Sequence, residues 1–548
     1  MGNLNYIIML NVIMKKYGAA SPKTLKSTIE FLLRLTGNRR HTTYLLALTS
    51  LLLAMIFRQR SRRRGKLPPG PMGWPIVGML PYLDPDNPAQ SVWDMSKQYG
   101  SVFCGRLGSH LAVFLNDYET IKEAFSRKDD AFSDRPRISM FEVYTKGHGI
   151  ATCYYDNHWK EQRRFAVKAF RHFGVGKPDS VFEEFLMRES KHLLHAYSKK
   201  HVAFNLKPFI DMAACNIISS MTFGSRFSYS ERTFQQFLAA LDDIFHFADV
   251  AGVTNYLDFM KYVPFSGYSS FDQRVRELES GLFVKEREGH KRTYDSSKTR
   301  DLIDAFLHEI KKKRDEGAES DTTGFSDKML LHFIADMFAA GTDTTSNSTQ
   351  WLLLCAAKFE KEQRRVQEEL DRVVGRDRLP TLSDRKNLPY TEAFLVEGMR
   401  FGVGGPFAVP HAAVRDTEFK GFFIPKGTVV VSNILSVLMD AKTFPEPEKF
   451  RPSRYLKEDG TLRYDMIERV HSQFGIGRRT CIGDQMARAE RYVFLTHLLH
   501  TYNMSGSSGP DSLSLKSHGG LTRNPVPFDV ILTERSPIIT TSKISYGL

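Results

Sequence analysis

The stretch "FGIGRRTCIG", Phe474 to Gly483, places one of the five cysteines of a 548-residue chain among glycines and arginines. A structural cysteine is usually buried among apolar side chains, because a free thiol behaves as a small apolar group. The residues after Cys481, "GDQMARAERYVFLTHLLHTY", have the apolar spacing of a helix. A cysteine just before a helix feels the positive end of the helix dipole, and Arg478 and Arg479 act in the same direction. The sequence therefore predicts a thiolate at Cys481.

The composition of the same stretch indicates what such a thiolate binds. Glycines have no side chain and let a flat molecule approach the backbone closely. Arginine pairs well with carboxylate groups, which it can hold through two parallel hydrogen bonds. A thiolate, a closely approached flat surface and an anionic rim together favour haem, with the sulfur of Cys481 as a ligand of its iron.

The stretch matches the cysteine-loop signature of the cytochrome P450 family, F-x-x-G-x-R-x-C-x-G, at Phe474, Gly477, Arg479, Cys481 and Gly483. The chain therefore resembles that family from about Lys66 to Arg535. The stretches "WKEQRRF" and "FGVGK" resemble the animal microsomal branch that contains drug and steroid hydroxylases. The resemblance implies a cytochrome P450 fold, mainly α with small β-sheets (α+β), and a haem-thiolate monooxygenase. It also implies haem b held by these five residues, with Cys481 as the axial ligand and O2 and NADPH-derived electrons as co-substrates.

Two further motifs follow in the order of the family. "EGMR" contains Glu397 and Arg400, three residues apart, so the two side chains can share a helix face and form an ion pair. "FRPSRY" contains Arg454, which by resemblance joins that pair and supports the cysteine loop. The three charged residues are therefore expected to act together.

A third motif, "AGTDTTS", resembles the family's central helix over the haem, with Ala340 and Gly341 as cofactor contacts. The resemblance implies that Asp343 and Thr344 deliver protons to bound dioxygen through water and hydroxyl groups. Glycine and β-branched residues are weak helix formers. The motif therefore predicts a local distortion of the helix.

Two sets of residues are assigned by resemblance alone. The haem propionates are expected to be bound by Arg135, Trp159, Arg163 and His411. The substrate pocket is expected to include Phe333, Val403, Phe407, Val409 and Leu521. Because the pocket residues are apolar, the expected substrate is lipophilic, either a steroid or ecdysteroid, a lipid or a xenobiotic.

No motif completes the G-x-G-x-x-G pattern of a dinucleotide site, so the electrons are expected from a separate protein. By resemblance this is NADPH-cytochrome P450 reductase, with cytochrome b5 as a second candidate partner. Five basic residues are predicted to form a docking face for an acidic partner, namely Lys160, Arg164, Lys168, Arg171 and Arg478. An ordinary charged helix face is the alternative.

The net charge of +14 is concentrated in the N-terminal segment. Residues 1–66 hold 13 basic residues and one acid, which leaves 63 basic and 61 acidic residues for the rest and argues against nucleic-acid binding.

The uncharged run "TYLLALTSLLLAMIF" followed by "RQRSRRRGK" predicts a membrane anchor with its basic flank in the cytosol. The predicted order is an extension of unassigned role (1–41), a transmembrane anchor (42–58), a basic and proline-rich linker (59–72) and the catalytic domain (73–548). The expected location is the endoplasmic reticulum membrane, with the catalytic domain on its cytosolic face.

Periodicity gives a coarse outline of the catalytic domain. A β-hairpin is predicted over Ser101 to Leu115, helices from Trp159 to about Val374, and strands over Phe419 to Leu435 and in "FDVILTE". Lys311 to Lys328 is expected to be a polar loop between two helices. "YLDFMKYVPF" either contacts the membrane or is an ordinary buried helix end.

Two other functions remain open on the sequence. A haem-thiolate isomerase or dehydratase would keep Cys481 but need neither reductase nor the pair Asp343 and Thr344. A non-catalytic haem-containing lipid binder would likewise have little use for that pair.

Overall fold

Helices dominate the described part of the chain, and small sheets flank them. The computed structural model describes residues 66–200, 202–247, 252–263, 266–317, 323–518 and 522–535. The extension 1–41, the predicted anchor 42–58, linker residues 59–65 and Leu521 lie outside these residues. Backbone contacts divide the chain into Met1–Lys66 and Leu67–Leu548, and the account below concerns the second unit.

The α-helices of the described residues are, in chain order, α1 (Pro88–Tyr99), α2 (Tyr118–Lys122), α3 (Asp129–Phe132), α4 (Ser139–Thr145), α5 (Asn157–His172), α6 (Val181–Ser198), α7 (Lys207–Phe223), α8 (Arg232–Phe247), α9 (Val253–Tyr256), α10 (Tyr268–Ser280), α11 (Leu282–Arg292), α12 (Leu302–Asp315), α13 (Asp327–Lys358), α14 (Glu360–Val373), α15 (Pro389–Gly402), α16 (Ile434–Leu438), α17 (Tyr464–His471) and α18 (Asp484–Thr501). Several begin where an acid or hydroxyl side chain caps the first turn. Asp156 accepts a hydrogen bond from the amide of Trp159, and Ser326 accepts one from Met329.

The strands are β1 (Val102–Leu107), β2 (His110–Leu115), β3 (Phe204–Asn205), β4 (His411–Ala412), β5 (Thr417–Phe419), β6 (Phe422–Ile424), β7 (Val429–Ser432), β8 (Tyr502–Gly506), β9 (Ser517–His518), β10 (Asn524–Pro525) and β11 (Asp529–Glu534). The largest sheet has the order β1-β2-β7-β4, with β2 and β7 parallel and the other pairs antiparallel. A second sheet has the order β3-β11-β8, and β5-β6 and β9-β10 form two-stranded sheets.

Helix α13 is the central helix of the unit. Its 32 residues span about 48 Å at 1.5 Å per residue. It packs antiparallel against α7, where Phe338 stacks on Phe223 with 4.8 Å between ring centroids. A β-carbon on Gly341 would overlap the end of the Ile218 side chain, so glycine allows that side chain to pack closely against α13. The expected distortion around Gly341 is not observed, because α13 is helical from Asp327 to Lys358 without a break.

Most of the coarse outline is confirmed. The mixed α+β class, the β1–β2 hairpin, the helices after Trp159 and the strand β11 are all present. Two boundaries were wrong. The predicted strand region ends earlier, because Ile434–Leu438 forms helix α16, whose first turn is capped by Asn433. Helix α12 extends to Asp315, so the first part of the predicted loop at Lys311 is helical.

No helix among the described residues combines the length and apolar character needed to span a bilayer.

Candidate functional site

The cysteine loop is a tight turn that ends at the start of α18. The amide of Cys481 donates to the carbonyl of Phe474 over 2.7 Å, which closes the loop. Gly477 has φ of +79°, and a β-carbon there would overlap the carbonyl oxygen of Phe125. Glycine is therefore required at Gly477 because the loop packs on the backbone of the Glu123–Arg127 segment, a reason that the sequence did not reveal.

Cys481 differs from three of the other cysteines in its accessibility. Its side chain is exposed, whereas those of Cys153, Cys215 and Cys355 are buried. Burial within the protein is nevertheless the largest cause of the raised pKa of the Cys481 thiol, so its exposed surface faces space inside the molecule. The amide of Gly483 and the charges of arginines lower that pKa, but burial outweighs them. The expected lowering of the pKa is therefore wrong for the free thiol, although a coordinated thiol is deprotonated by its metal.

The middle of α13 has an accessible edge. Ala340 and Thr344 are exposed, although most neighbouring residues on this helix are buried. The hydroxyl of Thr344 donates to the carbonyl oxygen of Ala340 over 2.6 Å. The two residues lie one helical turn apart, so they share one face of the helix.

Asp343 is held by two residues that the sequence did not single out. Its Oδ2 accepts hydrogen bonds from the hydroxyl of Thr522 at 2.7 Å and the amide of Asn347 at 3.1 Å. Burial raises the pKa of Asp343 from 3.8 to about 6, and the hydrogen bond from Thr522 opposes that change. This carboxyl can therefore exchange a proton close to neutral pH.

Three buried or half-buried arginines lie close enough to repel one another. Arg135, Arg163 and Arg479 have lowered pKa values, caused first by burial and then, for Arg135 and Arg479, by the charges of the other arginines. None of the three forms a salt bridge with a carboxylate of the described residues, and their hydrogen bonds go to backbone carbonyls. Such a cluster is suited to an anionic ligand with several carboxylate oxygens.

Trp159 and His411 belong to the same cluster. The guanidinium carbon of Arg479 lies 4.1 Å from the centre of the Trp159 ring, and the indole N–H donates to the carbonyl of Ile150 over 3.1 Å. His411 shares a hydrogen bond of 2.7 Å with the carbonyl of Phe132, and its pKa is well below the usual value because of burial and the nearby arginines. The structure thus brings the four predicted propionate partners together with Arg479.

The loop Gly149–Cys153 connects this cluster to α13 through Asp336, a residue that the sequence analysis missed. Oδ2 of Asp336 accepts from the amides of Ile150 at 2.5 Å and Ala151 at 3.0 Å. The carbonyls of the same loop accept hydrogen bonds from Trp159, Arg135 and Arg479. Burial raises the pKa of Asp336 from 3.8 to about 6, and the two loop amides lower it.

Glu397, Arg400 and Arg454 form one buried network. Arg400 donates to both oxygens of Glu397, over 2.8 and 2.9 Å, and Nε of Arg454 donates to Oε1 over 3.1 Å. Tyr455 donates its hydroxyl to Oε2, a contact that the sequence did not indicate. The remaining donors of the two arginines bind carbonyls between Leu438 and Lys449, so the network holds that segment against α15.

The predicted substrate residues lie in different surroundings. Phe333 is fully buried, with its ring centre 5.5 Å from that of Phe165 and 5.4 Å from that of Phe306. Val403 and Phe407 are also buried, and Val403 has a left-handed backbone with φ of +44°. Val409 is half-buried, and its carbonyl accepts a hydrogen bond from Arg135. Leu521 lies outside the described residues.

The residues present fit a haem. The accessible thiol of Cys481 supplies a soft donor, the accessible edge of α13 at Ala340 and Thr344 supplies a surface for a flat molecule, and the arginine cluster supplies cations that lack a counter-ion. No other described cysteine combines exposure with such surroundings.

Comparison with known proteins agrees with this site. The family model for Cytochrome P450 matches residues 68–532. Cytochrome P450 2U1 of Mus musculus is 34% identical over 514 residues, which cover 90% of this chain and 95% of the relative. Cytochrome P450 18a1 of Drosophila melanogaster is 34% identical over 90% of this chain and 91% of the relative. Cytochrome P450 2C7 of Rattus norvegicus is 35% identical over 86% of this chain and 94% of the relative.

The chain belongs to the cytochrome P450 family. It is accordingly a haem-thiolate monooxygenase that uses haem b, O2 and NADPH-derived electrons, and it requires a redox partner.

Proposed function

We propose that this monooxygenase hydroxylates a lipophilic substrate, a steroid or ecdysteroid, a lipid or a xenobiotic, and that the Cys481 thiolate would bind the haem iron. The observation that carries the ligand assignment is the accessible Cys481 thiol at the start of α18, beside Arg163 of the arginine cluster. Haem, when bound, supplies oxygen activation and the oxidising equivalent for the reaction.

Arg135, Arg163 and Arg479 would hold the propionates, and Trp159 and His411 would help to orient those arginines. The contacts of Trp159 and Arg479 with the Gly149–Cys153 loop keep these side chains in fixed positions. The network around Glu397 would fix the segment behind the cysteine loop. These contacts support a rigid cofactor site, which limits the movement of the sulfur relative to α13.

Thr344 and Asp343 would supply protons on the α13 side of the cofactor. The Thr344 hydroxyl is accessible and already oriented by the Ala340 carbonyl. Oδ2 of Asp343, held by Thr522 and Asn347, can accept a proton near neutral pH and release it to water. The pair favours the monooxygenase over the isomerase or the lipid binder, which need no such proton supply.

NADPH-cytochrome P450 reductase is the proposed electron donor, with cytochrome b5 as a second candidate. Arg164, Lys168 and Arg171 are exposed on one side of α5, at spacings of four and three residues. Arg478 in the cysteine loop is also exposed and pairs with Asp129 over 2.5 Å. This basic face, completed by Lys160, would attract an acidic partner to the cysteine side of the domain.

The endoplasmic reticulum membrane is the proposed location, with the catalytic domain on the cytosolic face. Trp74 and Ile76 are exposed on one side of the β1–β2 turn, and Phe259 and Tyr262 are exposed on the other. The turn joins the two sets, because Gly108 donates to Val77 over 3.1 Å and Ser109 donates to Tyr256 over 3.3 Å. An exposed apolar surface of this kind is suited to a lipid headgroup region and would admit a lipophilic substrate from it.

Optical titration of the purified ferric protein tests the substrate class. Steroids, ecdysteroids, fatty acids, terpenoids and drugs are added separately, and displacement of the water ligand is followed as a low- to high-spin shift of the Soret band. Saturation by one class supports a dedicated hydroxylase, whereas weak shifts with many compounds support detoxification. Reductase-dependent NADPH consumption coupled to product formation is expected, and turnover of a hydroperoxide without reductase would instead support the isomerase.

A further inference from the structure

Arg491 lies in α18, ten residues after Cys481, and is 4% exposed. Its Nε donates to the carbonyl of Ala487 over 3.0 Å, within the same helix. Its Nη2 has no hydrogen-bond partner among the described residues, and no described carboxylate forms a salt bridge with it. A buried guanidinium without a counter-ion is costly, usually several kcal/mol, because the protein interior solvates charge poorly.

The neighbouring acids do not neutralise Arg491. Glu490 is fully buried, neither of its carboxyl oxygens has a partner, and burial keeps its pKa well above the usual value, which favours the neutral acid. Glu392 is paired instead with Arg385, through two hydrogen bonds of 2.8 Å, and with Arg488 at 3.9 Å. Burial lowers the pKa of Arg491 to about 9, so the guanidinium still carries its charge at neutral pH.

The guanidinium of Arg491 lies beside the first residue of the cysteine loop. Its guanidinium carbon lies 5.5 Å from the ring centre of Phe474, the first residue of the loop. The amide of Cys481 donates to the carbonyl of Phe474 over 2.7 Å, so the guanidinium lies against the residue that closes the loop on Cys481. Arg491 lies on α18, outside the arginine cluster proposed for the propionates, and has no role in the functions described above.

We propose that Arg491 is a positioning residue for electron transfer, which raises the reduction potential of the haem iron through an unpaired positive charge beside the cysteine loop. In this step one NADPH-derived electron converts ferric to ferrous iron, with the thiolate still bound and no proton taken up. A nearby positive charge stabilises the more electron-rich ferrous state, and the low dielectric of the interior strengthens the effect. The inference rests on the proposed ligation of the iron by Cys481.

Spectroelectrochemical titration of the full-length holoprotein tests the inference. Arg491→Met removes the charge at similar length and is expected to lower the equilibrium constant for reduction about tenfold, which is about 59 mV for a one-electron couple. Arg491→Lys retains a charge and is expected to keep most of the wild-type potential. Arg488→Met is the matched control, because Arg488 lies on the same helix but pairs with Glu392, and its potential is expected to equal that of the wild type.

Two outcomes separate this inference from the proposed ligation. A wild-type ferrous carbon monoxide complex without the red-shifted Soret band of thiolate ligation overturns the ligation itself. With that band present, the role of Arg491 is overturned if Arg491→Met has the wild-type reduction potential. It is also overturned if the reduction potential of Arg491→Lys is as low as that of Arg491→Met. If Arg491→Met does not retain haem, Arg491→Gln replaces it, and the same comparison with Arg491→Lys decides.

Discussion

Glu397 and Arg400 form a two-armed ion pair in which neither side chain is accessible to solvent, with Oε2 2.8 Å from Nε and Oε1 2.9 Å from Nη2. Removal of the carboxylate leaves a buried guanidinium uncompensated. Glu397→Gln is therefore expected to lower the free energy of unfolding by about 3–5 kcal/mol, measured by urea denaturation. Glu446→Gln, which removes an exposed acid paired with Lys449, should leave the midpoint nearly unchanged. Equal midpoints for the two variants would show that the buried pair does not stabilise the fold.

Cys481→Ser is expected to abolish the thiolate signature of the ferrous carbon monoxide complex, because a hydroxyl is a weaker and harder ligand than a thiolate. The measurement is the absorption spectrum of the reduced protein with carbon monoxide. Cys104→Ser provides the control, since the Cys104 thiol hydrogen-bonds the carbonyl of Pro68 and a serine can do the same. Retention of the signature in Cys481→Ser would mean that another residue ligates the iron.

Asp343→Asn removes a carboxyl that exchanges a proton near neutral pH, and Thr344→Ala removes the accessible hydroxyl beside it. Each is expected to reduce product formed per NADPH consumed, with product formation falling about 10²-fold for Asp343→Asn. Product and NADPH are measured together in the reconstituted system. Ser348→Ala is the control on the same helix, because the Ser348 hydroxyl donates to the Thr345 carbonyl. This variant should form as much product per NADPH as the wild type. Wild-type coupling in both site variants would contradict the proposed proton supply.

Asp336 should make the stability of the protein depend on pH. Its pKa is raised on folding from 3.8 to about 6, so the folded state binds the proton more tightly than the unfolded state between those values. The resulting stability is complete below pH of about 4 and is lost as pH rises through about 6, a change of about 3 kcal/mol. The stability of Asp336→Asn relative to the wild type should therefore increase over this range. A pH-independent difference between the two unfolding curves would show that Asp336 titrates normally.

Charge reversal on the exposed face of α5 should weaken the interaction with the reductase. Lys168→Glu and Arg171→Glu are each expected to raise the KM for reductase several-fold and to reduce its salt dependence, because they replace attraction by repulsion. Lys97→Glu, in α1, changes the net charge equally outside the proposed face and should leave KM unchanged. An unchanged KM in all three variants would indicate an ordinary charged helix face.

Features that depend on neighbouring residues could be predicted from the sequence. The cysteine loop before α18, the ion pair of Glu397 and Arg400 and the hairpin at Gly108 and Ser109 all arise from residues within a few positions of one another. The residues around Gly341 have low helix propensity, but α13 stays helical there because it packs against α7. Local preference was overridden there by tertiary contact.

Features that depend on distant residues could not be predicted. The hydrogen bond between Asp336 and Ile150 joins residues 186 positions apart in the sequence, and that between Asp343 and Thr522 joins residues 179 positions apart. No periodic or compositional signal connects either pair. The burial of Phe333 among aromatic rings also depends on which helices pack against α13. The free-thiol pKa of Cys481 was misjudged for the same reason, because desolvation depends on the whole surrounding structure.

The loop Gly149–Cys153 joins α13 to the arginine cluster, so we expect substrate affinity and cofactor affinity to depend on each other. Its amides are held by Asp336 on α13, and its carbonyls are held by Trp159 and Arg479. A ligand that tightens α13 against the loop is expected to stabilise the arginine cluster as well, and any such coupling is reciprocal. A substrate that slows the loss of haem through this loop must bind the haem-loaded protein more tightly than the haem-free protein, by the same factor.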